Sequence, residues 1–448
     1  MEKISCFKAY DIRGKVPTEL NADLAYKVGK GFAKLTNAKK VVIGYDVRKS
    51  SREIFEACAK GLLESGADVI NIGLCGTEMI YFAVPYYNAD GGIMITASHN
   101  PPEYNGMKFV KKGSVPFGYE SGLNEVEKMV LTNNFDNHSN SKGTLVEENI
   151  MPFFIENLKK FYDPKKIKPL KVVVNAGNGC AGLALNAIEK NLPIQMIKVF
   201  NEPDANFPNG VPNPLLPENR KPTYDAVIKN KADLGVAWDG DYDRCFFFDE
   251  KGTFIEGYYI VGLLAKSILK EFPNGKIVHD PRLTWNTVEV VKKHGGEPVV
   301  SKSGHAYIKQ KMREVNAVYG GEMSAHHYFR DNAYSDSGMI PFLLVLQLIS
   351  HENKNLSQLV EEMVNAYPCS GEINSTIKDA PAKLKELEAK YSDGKKDFLD
   401  GLSVEYPEWR FNVRMSNTEP IIRLNVESRK DHKLMEKKTE ELLNIIRK

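Results

Sequence analysis

The stretch DGDYDR, residues 239–244, sets Asp239, Asp241 and Asp243 at alternate positions of one short loop. Carboxylates this close repel one another. At an effective dielectric near 20, a pair about 4 Å apart costs roughly 4 kcal/mol, and a bound divalent cation is the usual remedy. Ligands that are all oxygen favour Mg²⁺ or Ca²⁺ over zinc. A solvated acidic turn is the plainer alternative. An EF-hand count from Asp239 places Asp241 at position 3, Asp243 at 5 and Glu250 at 12. It fails at position 6, where Arg244 replaces the required glycine, and strand-like LGVAW and CFFF flank the loop in place of helices.

Three further stretches carry reactive groups. In IMITASHNPPEYNG, residues 93–106, Ser98 follows an apolar run and precedes Asn100-Pro101-Pro102, which discourages helix and holds the loop extended or turned, exposing the hydroxyl. A lone serine there could equally close an ST-turn. A serine hydrolase lacks its GxSxG, and His99, as the immediate neighbour, is poorly placed to be the base. RMSNTEP gathers Arg414, Ser416, Asn417 and Thr418 into one turn, a set able to cradle phosphate or simply to form a polar hairpin. GGEMSAHHYFRD offers Glu322 and Ser324 as hydroxyl-binding groups beside His326, a proton carrier or a structural histidine. A fourth stretch, VVVNAGNGCAG, spells GxGxxG with Gly177, Gly179 and Gly182 and has Glu202 beyond it. That is the fingerprint of a dinucleotide-dependent oxidoreductase, although glycines at a strand-to-helix turn also serve packing.

These loops need elements to position them. A strand-like run entering a polar loop recurs at KKVVIGYDVR, LKVVVNAGNG and GKIVHDPR, and each is followed by a second apolar run that ends in GGIMITASHNP, DLGVAWDGDYDR or AVYGGEMSAHH. Helical patterns lie between, as in SREIFEACAKGLLESG, where Ile54, Phe55, Cys58, Leu62 and Leu63 share a face. Strand, helix, strand implies parallel β in α/β units, with ligands at the carboxyl ends of the strands. The last 80 or so residues differ: WRFNVRMSNTEPIIRLNVES reads as two strands around a turn, and LMEKKTEELLNIIRK as a helix burying Leu434, Leu442, Ile445 and Ile446. The expected organisation is α/β: three similar mixed-sheet α/β domains (1–147, 148–249, 250–367) plus a C-terminal α+β domain (368–448), the four around a central cleft.

Composition narrows the function. The chain has 448 residues, more than one core usually supports, and 60 basic residues nearly cancel 58 acidic ones. No global field marks a nucleic-acid or membrane-surface binder, so anions must be held locally. The start lacks a signal-peptide stretch, and the most apolar run, Met339 to Ile349, is interrupted by Pro341 and Gln347. Six cysteines without a CxxC pair suit a reducing compartment, and a cytoplasmic protein is expected.

TASHNP, DGDYDR, GGEMSAHH and RMSNTEP occur in this order behind an opening FKAYDIRG. That set resembles the α-D-phosphohexomutase superfamily from about residue 5 to the C-terminus. The resemblance implies that Ser98 carries a phosphoryl group and that Asp239, Asp241 and Asp243, with Ser98, hold Mg²⁺. It also implies that Arg13, Lys108 and Arg244 surround the transferring group, with Tyr10, Arg282, His305 and His326 lining the site. Glu322 and Ser324 would read sugar hydroxyls, and Arg414, Ser416, Asn417 and Thr418 would cradle the substrate's phosphate. Which of Lys108, His305 and His326 moves the hydroxyl proton stays open. The implied reaction runs through a hexose 1,6-bisphosphate that also serves as activator, and the partners are small hexose phosphates handled by a monomer or weak homodimer. Within the superfamily, GGEMSAHHYFRD and FPNGVPNPLLPE look most like the bacterial enzymes that interconvert mannose 6-phosphate and mannose 1-phosphate for GDP-mannose. Activity on glucose phosphates as well is the alternative, since an axial against an equatorial hydroxyl need change only one or two hydrogen bonds. Other classes remain: the oxidoreductase, and a calcium-binding module resting on the Asp loop alone.

Overall fold

The computed structural model describes residues 3–135, 141–415 and 421–448. The chain divides into two units, residues 1–254 with 326–353, and residues 255–325 with 354–448.

In the first unit the run KVVIGY forms the strand Lys40–Tyr45, with Val41, Val42 and Ile43 fully buried. Asp68–Leu74 and Gly91–Ile95 pair with it in parallel. Strands covered on both faces read as near-continuous apolar runs, as VVIG and GGIMI do, while DVINIGL carries Asn71 inside its run. The helix Ser51–Glu64 buries Ile54, Phe55, Cys58 and Leu62 against this sheet, and Leu63 packs there partly buried. Beyond Gly91–Ile95 the pairing reverses: Tyr104–Lys111 runs antiparallel to it, and Ile12–Lys15 antiparallel to Tyr104–Lys111. Residues 96–103, with Ser98 among them, therefore close a hairpin.

A second sheet in this unit repeats the arrangement. Leu234–Trp238 is parallel to Lys171–Asn175, which is parallel to Gln195–Val199, while Cys245–Phe248 returns antiparallel along Leu234–Trp238. The Asp loop is again a hairpin connection, flanked by strands. The glycines of GNGCAG have packing reasons. A Cβ at Gly182 would lie 1.8 Å from the Asn201 carbonyl oxygen, and one at Gly179 would lie 2.7 Å from that of Gly240. The apolar run near residue 340 is the helix Met339–Glu352, with Pro341 in its first turn, where the missing N–H costs nothing. Gln347 accepts a hydrogen bond from the Asp163 amide at 2.9 Å, and Phe342 meets Trp238 edge-on at 5.3 Å. Among the described residues no helix is long and apolar enough to cross a membrane.

In the second unit, Lys276–His279 lies between Glu297–Val300 and Tyr319–Gly321, both parallel to it. The C-terminal part is an antiparallel sheet of five strands in which Trp409–Met415 and Ile421–Ser428 pair side by side, matching the expected α+β ending. Its last helix, His432–Ile446, buries Met435, Leu442, Ile445 and Ile446; Leu434 packs there only partly buried. All six cysteines are free, five of them buried and Cys369 half-buried.

Candidate active site

Ser98 holds a left-handed backbone, φ +50°, a conformation that costs a non-glycine residue about 1–3 kcal/mol and persists only when the surroundings impose it. Its amide donates to Thr96 Oγ1 at 2.8 Å, and its hydroxyl donates to Asp239 Oδ2 at 2.8 Å. The Asp loop thus meets the serine loop at the reactive oxygen. The loops also touch through backbone, since a Cβ at Gly240 would stand 2.5 Å from the Ser98 carbonyl oxygen. Only glycine allows that approach.

Asp239, Asp241 and Asp243 are buried, each with a carboxylate oxygen within 4.8 Å of the others. Arg244 bonds Asp239 Oδ2 through Nε at 2.9 Å, and Lys108 Nζ bonds Asp241 Oδ2 at 2.7 Å and Asp243 Oδ2 at 2.6 Å. Burial alone would lower the Lys108 pKa, but the two carboxylates more than offset it and hold the ammonium charged. Burial, with Asp241 beside it, pushes the Asp243 carboxyl well above the usual carboxylate range. Asp241 Oδ1 and Asp243 Oδ1 have no hydrogen-bond partner among the described residues. Buried oxygens without donors, on carboxylates that crowd one another, fit a hard divalent cation such as Mg²⁺. His326 Nε2 approaches Asp243 Oδ1 at 3.7 Å, and Arg13 reaches the serine loop through Asn100 Oδ1 at 2.8 Å. Tyr10 is half-buried in the segment leading to Ile12–Lys15, with its backbone against Gly118.

His99 differs from the expectation. Its Nδ1 lies 3.0 Å from Ser98 Oγ, so adjacency in the chain does not keep the two apart. The same Nδ1 meets Arg244 Nη2 at 2.5 Å, and burial with Arg244 and Arg13 nearby pushes the imidazole pKa well down. Occupied by a guanidinium and hard to protonate, it is a poor base for that reason.

A second cluster lies within the second unit. Arg282 bonds Asp280 through Nε at 2.9 Å, Ser324 Oγ through Nη2 at 3.3 Å and Glu372 Oε2 through Nη1 at 3.3 Å, with Glu322 Oε1 3.5 Å from Nη2. Glu322 Oε1 also accepts from the Gly304 amide at 2.9 Å, next to His305, which opens the helix His305–Val315. Arg414 and Arg423 reach the same Glu372, at 3.2 and 3.4 Å. Burial would raise the Glu372 pKa, but Arg282, Arg414 and Arg423 more than offset that and keep it ionised. Ser416, Asn417 and Thr418 lie outside the described residues.

The geometry therefore joins Arg13, Ser98, Lys108, Asp239, Asp241, Asp243, Arg244 and His326 in one unit, and Arg282, His305, Glu322, Ser324 and Arg414 in the other. Sequence reasoning did not single out Asp46, Arg48, Asp280, Glu372 or Arg423. The runs GYDVR and VHDPR carried a signal: a charged pair directly after a buried strand must find partners.

Comparison with known proteins gives one answer along the whole chain. Phosphoglucomutase/phosphomannomutase family models match in four segments: alpha/beta/alpha domain I at residues 5–137, domain II at 152–252, domain III at 256–367 and the C-terminal domain at 372–445. A protein of Xanthomonas campestris pv. campestris named Phosphohexose mutases is 53% identical over 448 residues, covering 99% of each chain. The Phosphomannomutase of Escherichia coli K12 is 51% identical over 454 residues, covering 100% of each. The crystal structure of a phosphoglucomutase/phosphomannomutase family protein from Burkholderia thailandensis superimposes with a TM-score of 0.88 at 31% identity, covering 100% of this chain and 98% of that one. With a serine hydroxyl delivered to three buried aspartates and relatives this similar end to end, the chain belongs to the phosphoglucomutase/phosphomannomutase family of the α-D-phosphohexomutases.

Proposed function

We propose that this enzyme interconverts mannose 6-phosphate and mannose 1-phosphate in the cytoplasm, supplying GDP-mannose synthesis. The observation that carries the mechanism is the hydrogen bond from Ser98 Oγ to Asp239 within the buried three-carboxylate cluster. In this reading Ser98 carries a phosphoryl group. The free hydroxyl of a bound hexose monophosphate attacks phosphorus, the bond from phosphorus to Ser98 Oγ breaks, and the hydroxyl's proton passes to a base. The resulting 1,6-bisphosphate turns over in the site, its other phosphoryl group returns to Ser98 Oγ, and the isomerised monophosphate leaves.

The chain's own groups supply the electrostatics. Arg244, on the carboxylate that Ser98 Oγ bonds, and Lys108, on Asp241, place fixed positive charge in the buried cluster, where it is worth more than in water. Mg²⁺ held by Asp239, Asp241 and Asp243 would neutralise phosphoryl charge there. Lys108, His305 and His326 are the candidates to take the hydroxyl's proton. Glu322 and Ser324, both on Arg282, would read sugar hydroxyls, and Arg414 would hold the phosphate that is not reacting.

The test has two parts. Ser98→Ala is expected to lower turnover of mannose 1-phosphate by about a thousandfold or more with the fold intact; near-normal turnover would refute the role of Ser98. Relative kcat/KM for mannose, glucose and glucosamine 1-phosphates, with Mg²⁺ and a hexose 1,6-bisphosphate present, then fixes the sugar. A mannose preference supports the proposal, equal mannose and glucose rates make the enzyme a dual mutase, and turnover of glucosamine alone overturns it.

A further inference from the structure

Four backbone carbonyls of the serine loop converge on one side chain. Arg48 Nη1 donates to the carbonyls of Pro101 at 2.7 Å and Tyr104 at 2.9 Å, and Nη2 to those of Ser98 at 2.9 Å and Asn100 at 2.6 Å. A guanidinium has four terminal N–H groups in a rigid plane, so each has one carbonyl. The fifth, Nε, faces Asp46 Oδ2 at 3.2 Å, and the Arg48 side chain is 0% exposed. Asp46 is fixed in turn: its Oδ1 accepts from the Arg48 amide at 3.0 Å and from Ser51 Oγ at 2.5 Å. Asn105, at the far end of the loop, donates to Ser51 Oγ at 3.0 Å. Asp46, Arg48 and Ser51 thus grip the loop at both ends and in the middle.

The loop needs such a grip. Pro101 and Pro102 have no N–H to give, and Ser98 occupies the left-handed region. Its internal backbone-donated bonds are few among the described residues: Ser98 N to Thr96 Oγ1 at 2.8 Å, Asn100 N to the Ala97 carbonyl at 2.9 Å and Tyr104 N to that of Pro101 at 3.0 Å. One of the gripped carbonyls is that of Ser98 itself, the atom against which Gly240 of the Asp loop packs. A shift of that carbonyl moves Ser98 Oγ relative to Asp239.

We propose that Arg48 is a positioning residue for the phosphoryl-carrying serine: its planar guanidinium sets the Ser98 backbone so that Oγ lies on the Asp239 side of the Asp loop. The proposal rests on the role of Ser98 given above. It predicts a loss in kcat with little change in KM, because the Arg48 N–H groups are spent on the serine loop and on Asp46, which leaves none for the substrate. Lysine cannot substitute, since a point ammonium has three donors and no plane.

The experiment follows incorporation of labelled phosphate into the full chain from a hexose 1,6-bisphosphate, with steady-state kcat, KM and thermal melting, for wild type, Arg48→Lys and Asp46→Asn. Asp46→Asn keeps the Oδ1 acceptor for Ser51 and the Arg48 amide and removes the charge and the acceptor that face Arg48 Nε. Arg48→Lys is expected to lose about a hundredfold in phosphorylation rate and in kcat per folded molecule, the cost of roughly 1 Å of misplacement, with KM within a factor of about two. Asp46→Asn should lose about tenfold in the same sense. Wild-type kcat per folded molecule in Asp46→Asn together with either wild-type kcat or no folded protein for Arg48→Lys overturns the proposal, as does a rise in KM that accounts for the whole loss. Failure of the wild-type chain to take up label on Ser98 would instead refute the reading of Ser98.

Discussion

Lys108 and Arg244 bring the same charge to the Asp loop by different means. Lys108 places one ammonium between Asp241 and Asp243, while Arg244 spreads its fork over Asp239 and His99. Ser98 bonds the carboxylate that Arg244 holds, leaving the Oδ1 atoms of the pair held by Lys108 for a cation. Another buried ionisable residue gives a pH prediction. His327, fully buried in the strand His327–Phe329, has its imidazole pushed down to about 3 by burial. Unfolded, it takes a proton near pH 6.5. Between about pH 6.5 and 3 the unfolded chain therefore binds a proton that the folded one refuses, so stability falls as pH falls, by up to about 1.4 kcal/mol per unit, and is unaffected by this group above that window. Unfolding of His327→Gln by urea across this range should show a shallower slope by about one proton; an unchanged slope would refute it. At this scale the sequence was readable where a loop announced itself. Ser98 and the three aspartates each had a plainer reading alone, and it was the ordered set of motifs that singled them out. The partners of Arg48 and Glu372 were not readable, because they are backbone carbonyls some 50 positions away and arginines 42 and 51 positions along. The run GYDVR marks Arg48 as needing partners without naming them, and nothing local distinguishes Glu372 from a surface charge.

The hairpins show what an element contributes. In each of the two sheets of the first unit a buried parallel strand hands the chain to an antiparallel neighbour, and the reactive loop is the hand-over. Periodicity predicted the strands and the parallel pairing within the expected mixed sheets. The antiparallel steps fall at the short connections: residues 96–103 and 239–244 are too few for a parallel crossover, which takes about a dozen residues or more. The helix Met339–Glu352 was legible only as an apolar run, because a helix buried on nearly every side has no polar stripe to give its phase. Its burial makes it a main support of the first unit. Phe342→Ala, removing the ring set edge-on against Trp238, should cost about 3–5 kcal/mol of stability, read from urea unfolding. A loss under about 1 kcal/mol would mean the site collapses around the gap or that the helix contributes little.

Over the whole molecule the two units are not consecutive in the chain, for residues 326–353 belong with the first and interrupt the second. The recurring α/β pattern and the different C-terminal stretch were legible; this return was not, since it depends on which core the helix joins. A fragment ending at residue 254 is expected to lack a packed first unit. Trp238 is the one tryptophan it would contain, and without Phe342 and the Gly338 carbonyl that accepts its indole N–H, its fluorescence should be red-shifted and quenched by iodide. Emission like that of a full chain carrying Trp285→Phe and Trp409→Phe, in which Trp238 alone reports, would show the fragment folds unaided. The same return orders events during synthesis. Domains made first usually fold first as they leave the ribosome, but here the first unit lacks the partner of Trp238 until the chain has been extended through Asn353. Its apolar surface must wait, uncovered, through the translation of the 71 residues from Ile255 to Ala325 and the helix after them. A ribosome pause in that interval would prolong the exposure, so the demand for chaperone cover falls mid-chain and not at the end.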